Sequence, residues 1–254
     1  MKEKIDTIQK KFESAPESAL SELYETYADD PRSGVQNLIR KYKRQEEKLQ
    51  EERRRLETMR EFERRYEDCV SICGIDEAGR GPLAGPVVAG AVILPKECEI
   101  LYLNDSKKLS ARRREELYDE IMEKAVAVGV GMSSPARIDE INILQATYEA
   151  MREAVGKLDV MPEVLLNDAV TIPGIEICQV PIIKGDARSV SIAAASIIAK
   201  VTRDRLMVQY DALMPEYGFA KHKGYGSKEH IEALKKYGPS PIHRRTFIGH
   251  FVEI

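Results

Sequence analysis

Hydrophobic and polar positions follow two different patterns along this chain, and the pattern changes near Cys69. Residues 36–68 contain no glycine or proline and are dense in Glu, Lys, Arg and Gln, which are good helix formers. An apolar residue recurs every seven positions from Tyr42 to Leu56, but polar residues occupy other positions that a coiled coil would need. The segment predicts one long helix, weakly apolar on one side, after one or two short helices within residues 1–33.

Beyond Cys69, short apolar runs are separated by amphipathic segments, a pattern typical of α/β proteins. The apolar runs predict strands at residues 70–75, 86–94, 125–132, 163–166 and 176–183. The amphipathic segments predict helices at residues 110–124, 138–158, 191–213 and 227–237. Small residues dominate the start of the third of these helices, which favours close packing on a neighbour. We expect a mixed five-stranded sheet with helices on both faces.

Composition limits the classes of function. The 254 residues include 39 Lys and Arg and 42 Asp and Glu, a net charge of −3, and 43% are hydrophobic. These values exclude collagen, a disulfide scaffold, wholesale disorder and a uniformly basic nucleic-acid coat, but they allow a local basic groove. We expect no membrane span, no signal peptide and a cytoplasmic protein. The four cysteines lack zinc-ligand spacing and are predicted to be reduced structural thiols.

Acidic residues follow several of the predicted strands. Asp76 and Glu77 close a buried strand, Asp168 ends another, and Asp186 precedes the helix of small residues. Each has an ordinary interpretation, respectively a solvated turn, an Asx turn and a helix cap. However, ligands of α/β sheets collect beyond the carboxyl ends of strands, and four oxygen ligands without a histidine cluster favour Mg²⁺ or Mn²⁺. A pair of such ions is the usual device for displacement at phosphorus.

The glycines around the acidic pair nearly match two nucleotide-binding motifs. Residues 74–79 have the glycine spacing of a P-loop, but Arg80 and Gly81 replace the Lys-Ser/Thr that would hold phosphate and magnesium. Residues 79–84 match the dinucleotide-binding pattern in letters, yet prolines lead from there into a strand and not into a helix. We therefore reject both nucleotide-binding interpretations.

Four blocks of sequence resemble bacterial ribonuclease HII: residues 76–89, 103–110, 184–204 and 222–226. The resemblance implies a ribonuclease H-like fold with an N-terminal helical extension outside it. It also implies an endoribonuclease that cuts RNA in RNA–DNA hybrids and single ribonucleotides embedded in duplex DNA, leaving 5′-phosphate and 3′-hydroxyl ends. Two divalent ions, Mn²⁺ or Mg²⁺, are expected with substrate, and no obligate protein partner is evident.

The resemblance assigns roles to individual residues. The catalytic, metal-binding carboxylates would be Asp76, Glu77, Asp168 and Asp186. The substrate-binding residues would be Gly79, Arg80, Gly81, Lys107 and Tyr225. The backbone of residues 79–81 would read the ribose 2′-hydroxyl, which distinguishes RNA from DNA, because glycine lets the main chain approach closely. Tyr225 would stack at the RNA-to-DNA junction, and Lys107 would contact phosphate.

Three further details bear on these roles. Asp105 lies outside the family's ligand pattern and is interpreted as orienting Lys107 and its loop. The related ribonuclease HIII group has Gly-Lys-Gly where this chain has Gly-Arg-Gly at residues 79–81. That group also ends its carboxylate set with glutamate where this chain has Asp186, so both differences favour HII.

The last part of the chain is rich in His, Lys, Arg and Tyr. The Lys-His-Lys at residues 221–223 and the His-Arg-Arg at residues 243–245 are interpreted as phosphate-facing edges, although a solvated surface is commoner for each. With Tyr225 they predict a C-terminal helical lobe that closes over the duplex. The expected divisions are an N-terminal helical extension, a ribonuclease H-like catalytic domain and a C-terminal substrate-binding lobe, at residues 1–69, 70–213 and 214–254.

Several alternatives remain open on sequence alone. The long N-terminal helix is either an arm packed on the main domain or a nucleic-acid contact through the arginines at residues 53–55. A four-carboxylate exonuclease is a rival function, although that class places its first two acids as Asp-x-Glu and here Asp76 and Glu77 are adjacent. A non-catalytic protein that binds hybrids is the second rival.

Overall fold

The computed structural model describes residues 3–253, and its helices and strands follow the predicted order. The helices are α1 Ile5–Ser14, α2 Glu17–Thr26, α3 Ser33–Met59, α4 Glu61–Arg65, α5 Ala111–Lys124, α6 Pro135–Gly156, α7 Val190–Leu213, α8 Phe219–His222, α9 Lys228–Tyr237 and α10 Arg245–Ile248. The strands are β1 Ile72–Ala78, β2 Val87–Ile93, β3 Ala127–Ser133, β4 Val164–Asp168 and β5 Cys178–Ile182. Two 3₁₀ turns occupy Gly185–Ala187 and Pro215–Tyr217.

The chain divides into two compact units, with the boundary between Arg55 and Leu56. In the first unit, α1, α2 and the first half of α3 share a small core of their own, in which the ring of Phe12 stacks on Tyr42 at 5.0 Å between centroids. The arginines near the end of this unit contact acidic side chains, with Arg53 paired to Glu17 at 2.7 Å. Whether those arginines also contact nucleic acid stays a prediction.

The second unit contains the predicted mixed five-stranded sheet. Its strands lie in the order β3-β2-β1-β4-β5. β1 pairs antiparallel with β2 and parallel with β4, so it lies at the centre. Side chains alternate between the two faces of β1 and β2, and each face forms its own core, one against α6 and the other against α7. The expected architecture, helices on both faces of a mixed five-stranded sheet, is confirmed.

Helix α7 lies unusually close to the sheet because glycine faces it. A Cβ at Gly74 would lie 2.0 Å from the carbonyl carbon of Ser191, and a Cβ at Gly90 would lie 2.5 Å from the carbonyl oxygen of Ala195. Neither distance is possible for a real side chain, so backbone meets backbone at both places. The small-residue face predicted for this helix is confirmed, and it brings the helix within reach of the strand end that carries the acidic pair.

Two helices predicted as continuous are interrupted. The prediction of a single helix over residues 36–68 is wrong at Arg60, which separates α3 from α4. The Arg60 guanidinium donates to the carbonyls of Lys96 and Cys98, a tertiary contact that local helix propensity cannot anticipate. α6 is broken at Asn142, which has a φ of 68° and accepts the backbone N–H of Leu144 at 3.0 Å, so that it caps the second half.

Two further predictions concern membrane-spanning helices and the state of the cysteines. None of the helices in this range is long and apolar enough to cross a membrane. All four cysteines fall in the described range and are free thiols. Burial raises the pKa of the Cys73 thiol to about 12, which keeps it protonated and inert.

Candidate active site

The candidate site arises from an unequal pairing of β1 with its two neighbours. The parallel ladder with β4 ends at Ile75 opposite Asn167, whereas the antiparallel ladder with β2 continues to Ala78 opposite Val88. Asp76 and Glu77 therefore stand on a strand that is supported from one side only. β1 ends at Ala78, one residue after the acidic pair, and its pairing with β4 stops before the pair.

Asp76 is buried, with 5% of its surface exposed, and its Oδ1 accepts the Glu77 backbone N–H at 2.7 Å. Burial, followed by the charge of Glu77 and then of Asp168, raises the pKa of Asp76 well above its ordinary value. Burial also raises the pKa of Glu77, although Arg80, 3.4 Å from its Oε1, opposes that rise. The strand end thus concentrates negative charge that its surroundings compensate only in part.

The two later acids lie against this pair. Asp168 is the last residue of β4, and its Oδ1 accepts the backbone N–H of Gly185 at 2.7 Å. That bond joins it to the turn carrying Asp186, whose pKa is raised by burial and then by the charges of Asp105 and Asp168. Through these interactions the four predicted carboxylates, which are more than a hundred residues apart at their extremes, form one electrostatic cluster.

Lys107 is the cation nearest the middle of this cluster. Burial lowers the pKa of its ammonium group, but the charges of Asp76, Asp105 and Asp186 outweigh burial and raise the pKa overall. The Lys107 backbone N–H also donates to Oδ1 of Asp105 at 2.9 Å. This contact agrees with the interpretation of Asp105 as a residue that orients the Lys107 loop.

A cavity of about 310 Å³ opens over the strand end. From the predicted set, it is lined by Asp76, Glu77, Gly79, Arg80, Gly81, Lys107 and Tyr225. Asp168 and Asp186 lie outside this lining, behind the first two acids. The Tyr225 ring is 45% exposed and lies 6.0 Å from Nζ of Lys200.

Sequence reasoning missed three residues that line the same cavity: Ser106, Ser196 and Lys200. The hydroxyl oxygens of Ser196 and Ser106 lie 3.0 Å apart, and a hydrogen bond from Ser196 favours the ionised form of Asp76. Lys200 pairs with Asp204 at 2.7 Å, four residues on in α7. Their only sequence signal was their place in the blocks at residues 103–110 and 184–204, where none of the three has a distinguishing feature before α7 is docked.

The donor set fits a hard divalent cation. Four carboxylates supply only oxygen ligands, and burial beside like charges makes Asp76 costly to ionise without a cation. Within residues 3–253, however, no three His, Cys, Asp or Glu side chains already stand in a metal-binding arrangement. Their oxygens are instead taken by the local partners described above.

Two predicted phosphate-facing edges need correction. In the stretch at residues 243–245, His243 and Arg244 are buried, with 2% and 0% of their surface exposed, and only Arg245 faces solvent. In the stretch at residues 221–223, His222 is half-buried and its Nε2 lies 2.8 Å from the Tyr217 carbonyl. The prediction was wrong for these residues because sequence composition cannot distinguish a buried, backbone-bonded cation from a solvated one.

A second cavity, of about 440 Å³, lies at the start of α7 and away from the acidic cluster. Oε1 of Glu63 accepts from the Ser189 hydroxyl at 2.6 Å and from the Ser191 backbone N–H at 3.0 Å. Glu63 therefore caps α7 from a different helix. This carboxylate has a structural role and adds nothing to the acidic cluster.

Comparisons with known proteins agree with this architecture. A family model described as Ribonuclease HII matches residues 73–250, and a model described as Ribonuclease HII N-terminal domain matches residues 4–67. The chain is 64% identical over 245 residues to Ribonuclease HII of Lachnoclostridium phytofermentans, covering 96% of each chain. It is 53% identical to Ribonuclease HII of Clostridioides difficile, covering 89% of this chain and 90% of that one.

A solved structure gives the same result. The ribonuclease H2 of Pyrococcus horikoshii OT3 superposes with a TM-score of 0.59 at 31% identity, over 70% of this chain and 93% of that one. The fold and the acidic strand end thus define a hydrolytic nuclease of the ribonuclease H class. More narrowly, the chain belongs to the ribonuclease HII family.

Proposed function

We propose that this nuclease is an endoribonuclease that hydrolyses the RNA strand of RNA–DNA hybrids and single ribonucleotides within duplex DNA. Its products carry 5′-phosphate and 3′-hydroxyl ends. The observation that carries the proposal is the clustering of four carboxylates at one strand end. Beside them lie an exposed tyrosine, Tyr225, and the loop of residues 79–85, called the glycine-rich loop below. Such a site combines a centre for phosphate chemistry with surfaces for the sugar on either side of it.

In this proposal, two Mn²⁺ or Mg²⁺ ions are held by Asp76, Glu77, Asp168 and Asp186. Divalent cations at this position supply the positive charge that activates water and stabilises the leaving oxygen in hydrolysis of a phosphodiester. The chain itself fixes the acids: Asp76 on the central strand, and Asp168 through its bond to the Gly185 backbone. The Ser196 hydroxyl partly opposes the rise in the pKa of Asp76 and so favours the ionised form, which is the form that binds a cation.

Recognition of the substrate falls to residues around the cavity. We assign the 2′-hydroxyl to the backbone of residues 79–81, and the deoxyribose that follows it to the face of Tyr225. Lys107, which is exposed, is positioned for a phosphate oxygen. Lys107, Arg80 and Lys200 line the cavity, so cationic side chains are available to a polyanion despite the net charge of −3.

The same proposal divides the work along the chain. Residues 70–213 carry the chemistry, and residues 214–254 complete the substrate site. The backbone N–H of Leu83 donates to the Gly224 carbonyl at 2.8 Å, and that of Gly85 donates to the Ile242 carbonyl at 2.9 Å. Such bonds connect the C-terminal segment directly to the glycine-rich loop. Residues 1–69 are assigned as a helical extension outside the catalytic part.

The test is a gel assay with a labelled DNA duplex that contains one ribonucleotide, incubated with Mg²⁺ or Mn²⁺. We expect a single cut on the 5′ side of the ribonucleotide. An all-DNA duplex of the same sequence is the matched control, and an RNA–DNA hybrid tests the broader substrate. Cleavage should persist when both ends are blocked, which an exonuclease could not achieve. An uncut but tightly bound duplex in either metal would instead indicate a hybrid-binding protein.

A further inference from the structure

Behind the glycine-rich loop lies Arg244, which the sequence had placed at the surface. Its guanidinium is fully buried and donates to the carbonyls of the loop itself. The bonds run from Nη2 to the Gly79 oxygen at 2.5 Å, from Nη1 to the Arg80 oxygen at 2.7 Å, and from Nε to the Gly85 oxygen at 2.9 Å. One side chain from the C-terminal segment therefore holds both ends of the loop.

A second buried arginine, Arg203 of α7, supports the loop from the other side. It donates from Nε to the Pro86 carbonyl at 2.9 Å, from Nη2 to the Ala84 carbonyl at 3.0 Å, and from Nη1 to the Lys223 carbonyl at 2.9 Å. Gly79 has a φ of 95°, and a Cβ there would lie 2.1 Å from Nε of Arg203. The glycine is thus required for the arginine to fit under the loop.

Burial of the positively charged guanidinium groups of Arg203 and Arg244 costs free energy. Within residues 3–253, neither Arg203 nor Arg244 has a carboxylate within 4.0 Å, and backbone carbonyls accept the hydrogen bonds of both guanidinium groups. Burial, with the nearby charge of Arg203, lowers the pKa of Arg244 to about 9. Apolar side chains of similar volume would fill the same space at lower cost. A role beyond packing would account for retaining two guanidinium groups here.

That role follows from the geometry of the peptide group. The C=O of one residue and the N–H of the next point in opposite directions across a trans peptide. Because Arg244 draws the Gly79 and Arg80 oxygens inward, the N–H groups of Arg80 and Gly81 are turned outward. In the described part of the chain, neither N–H has a hydrogen-bond partner, and both residues line the cavity beside Asp76.

We propose that Arg244, supported by Arg203, is a positioning residue that aims the Arg80 and Gly81 amides at the ribose 2′-hydroxyl. The inference rests on the proposed function and adds to it the residues that hold the loop amides in place. Donors that are fixed before binding need no reorganisation when a 2′-oxygen arrives. A loop free to rotate its peptides would lose that preference while keeping its contacts to phosphate.

The test compares R244K with wild type on two measurements. The first is kcat/KM for the duplex that contains one ribonucleotide. The second is the inhibition constant of the all-DNA duplex, which reports binding through phosphate and shape. R244K keeps the positive charge but cannot bond three carbonyls in a planar fork. We expect kcat/KM to fall by roughly 10- to 100-fold while the inhibition constant stays within about twofold of wild type.

R205K is the matched control, because Arg205 lies on the exposed side of α7 and pairs with Glu115; it should leave both measurements unchanged. A parallel loss of both in R244K would mean a general structural role and would overturn the inference, as would wild-type values of both. If R244K does not fold, R203K is subject to the same comparison. Failure of wild type to cut the ribonucleotide-containing duplex would overturn the proposed function instead, so the two failures are distinguishable.

Discussion

Nε2 of His243 donates a hydrogen bond to Nε2 of His230 at 3.0 Å, in the interior of the C-terminal segment. The direction follows from the outer nitrogens of the two rings. Nδ1 of His243 accepts the Ser240 backbone N–H at 2.9 Å, and Nδ1 of His230 donates to the Tyr225 carbonyl at 2.8 Å. Both rings are therefore neutral, and together they hold the backbone of the tyrosine that faces the cavity.

Acid is expected to unfold the protein through this pair. Burial lowers the pKa of both His230 and His243 to about 4, below the ordinary 6.5. Each ring stays neutral in the folded protein and gains a proton in the unfolded chain. Its contribution to stability is therefore complete above pH 6.5 and is lost as the pH falls toward 4. We expect this window to lower the free energy of unfolding by roughly 3 kcal/mol for each ring.

Urea unfolding between pH 7.5 and 4.5 measures this loss. The variant H243Q, which has one titrating ring fewer, should be less stable at pH 7.5 but should lose less stability on acidification. H250Q changes an exposed histidine and is the control. Equal pH slopes for wild type and H243Q would contradict the assignment, since carboxylates alone would then account for the acid sensitivity.

Replacing Asp76 by Asn is expected to separate activity from stability. Asp76 is buried beside like charges, so its removal takes away repulsion in the metal-free protein. D76N should unfold at the same or a higher temperature than wild type, while the cleavage rate falls by a factor on the order of 10²–10³ or more. Thermal unfolding in EDTA and a cleavage time course are the two measurements. Near-normal cleavage by D76N would exclude Asp76 from the catalytic set.

We expect the ring face of Tyr225, and not its hydroxyl, to contribute to activity. The side chain is 45% exposed, so its replacement has little effect on the core. Y225A should lower kcat/KM by about 5- to 100-fold, corresponding to roughly 1–3 kcal/mol of stacking, and Y225F should retain nearly all activity. Steady-state kinetics on the ribonucleotide-containing duplex compares the two variants. A larger loss in Y225F than in Y225A would assign the role to the hydroxyl.

Gly74 tests the close approach of α7 to the sheet. An added Cβ would lie 2.0 Å from the backbone of Ser191, so G74A must push the helix away and should cost at least about 1–3 kcal/mol. G156A is a matched control, because a Cβ there meets nothing within 4 Å and alanine favours the helix, which predicts a gain of roughly 0.5–1 kcal/mol. Chemical denaturation measures both. Similar stabilities for the two variants would show that the contact is not rigid.

The fold was largely predictable because local signals and tertiary structure agree in most elements. Ser110, Ser189 and Ser227 each accept a backbone N–H three residues on, at the start of α5, α7 and α9 respectively. All three caps mark helix starts that the sequence had predicted within one residue. The interruptions at Arg60 and Asn142 were not predictable in this way, since each depends on a contact or a backbone angle set elsewhere in the fold.

The residues of the candidate site were likewise predictable only in part. The acidic residues were found because carboxylates next to apolar strands are unusual and because the surrounding motifs are specific. Arg244 was misjudged because a cation in a basic stretch is ordinarily solvated, and its burial depends on carbonyls more than 150 residues earlier in the chain. Residues that act by supporting a loop carry no pattern of their own, so only the packed structure identifies them.

The unequal lengths of the two ladders on β1 have a mechanical consequence. Ile75 is the last residue of β1 that is paired on both sides, so its amide should exchange with deuterated solvent only when the whole unit opens. The floor of the cleft is therefore stiff, and a bound duplex must conform to it. Backbone movement during turnover is therefore expected in the peripheral turns around residues 184–188 and 222–226, where amide exchange should be fastest.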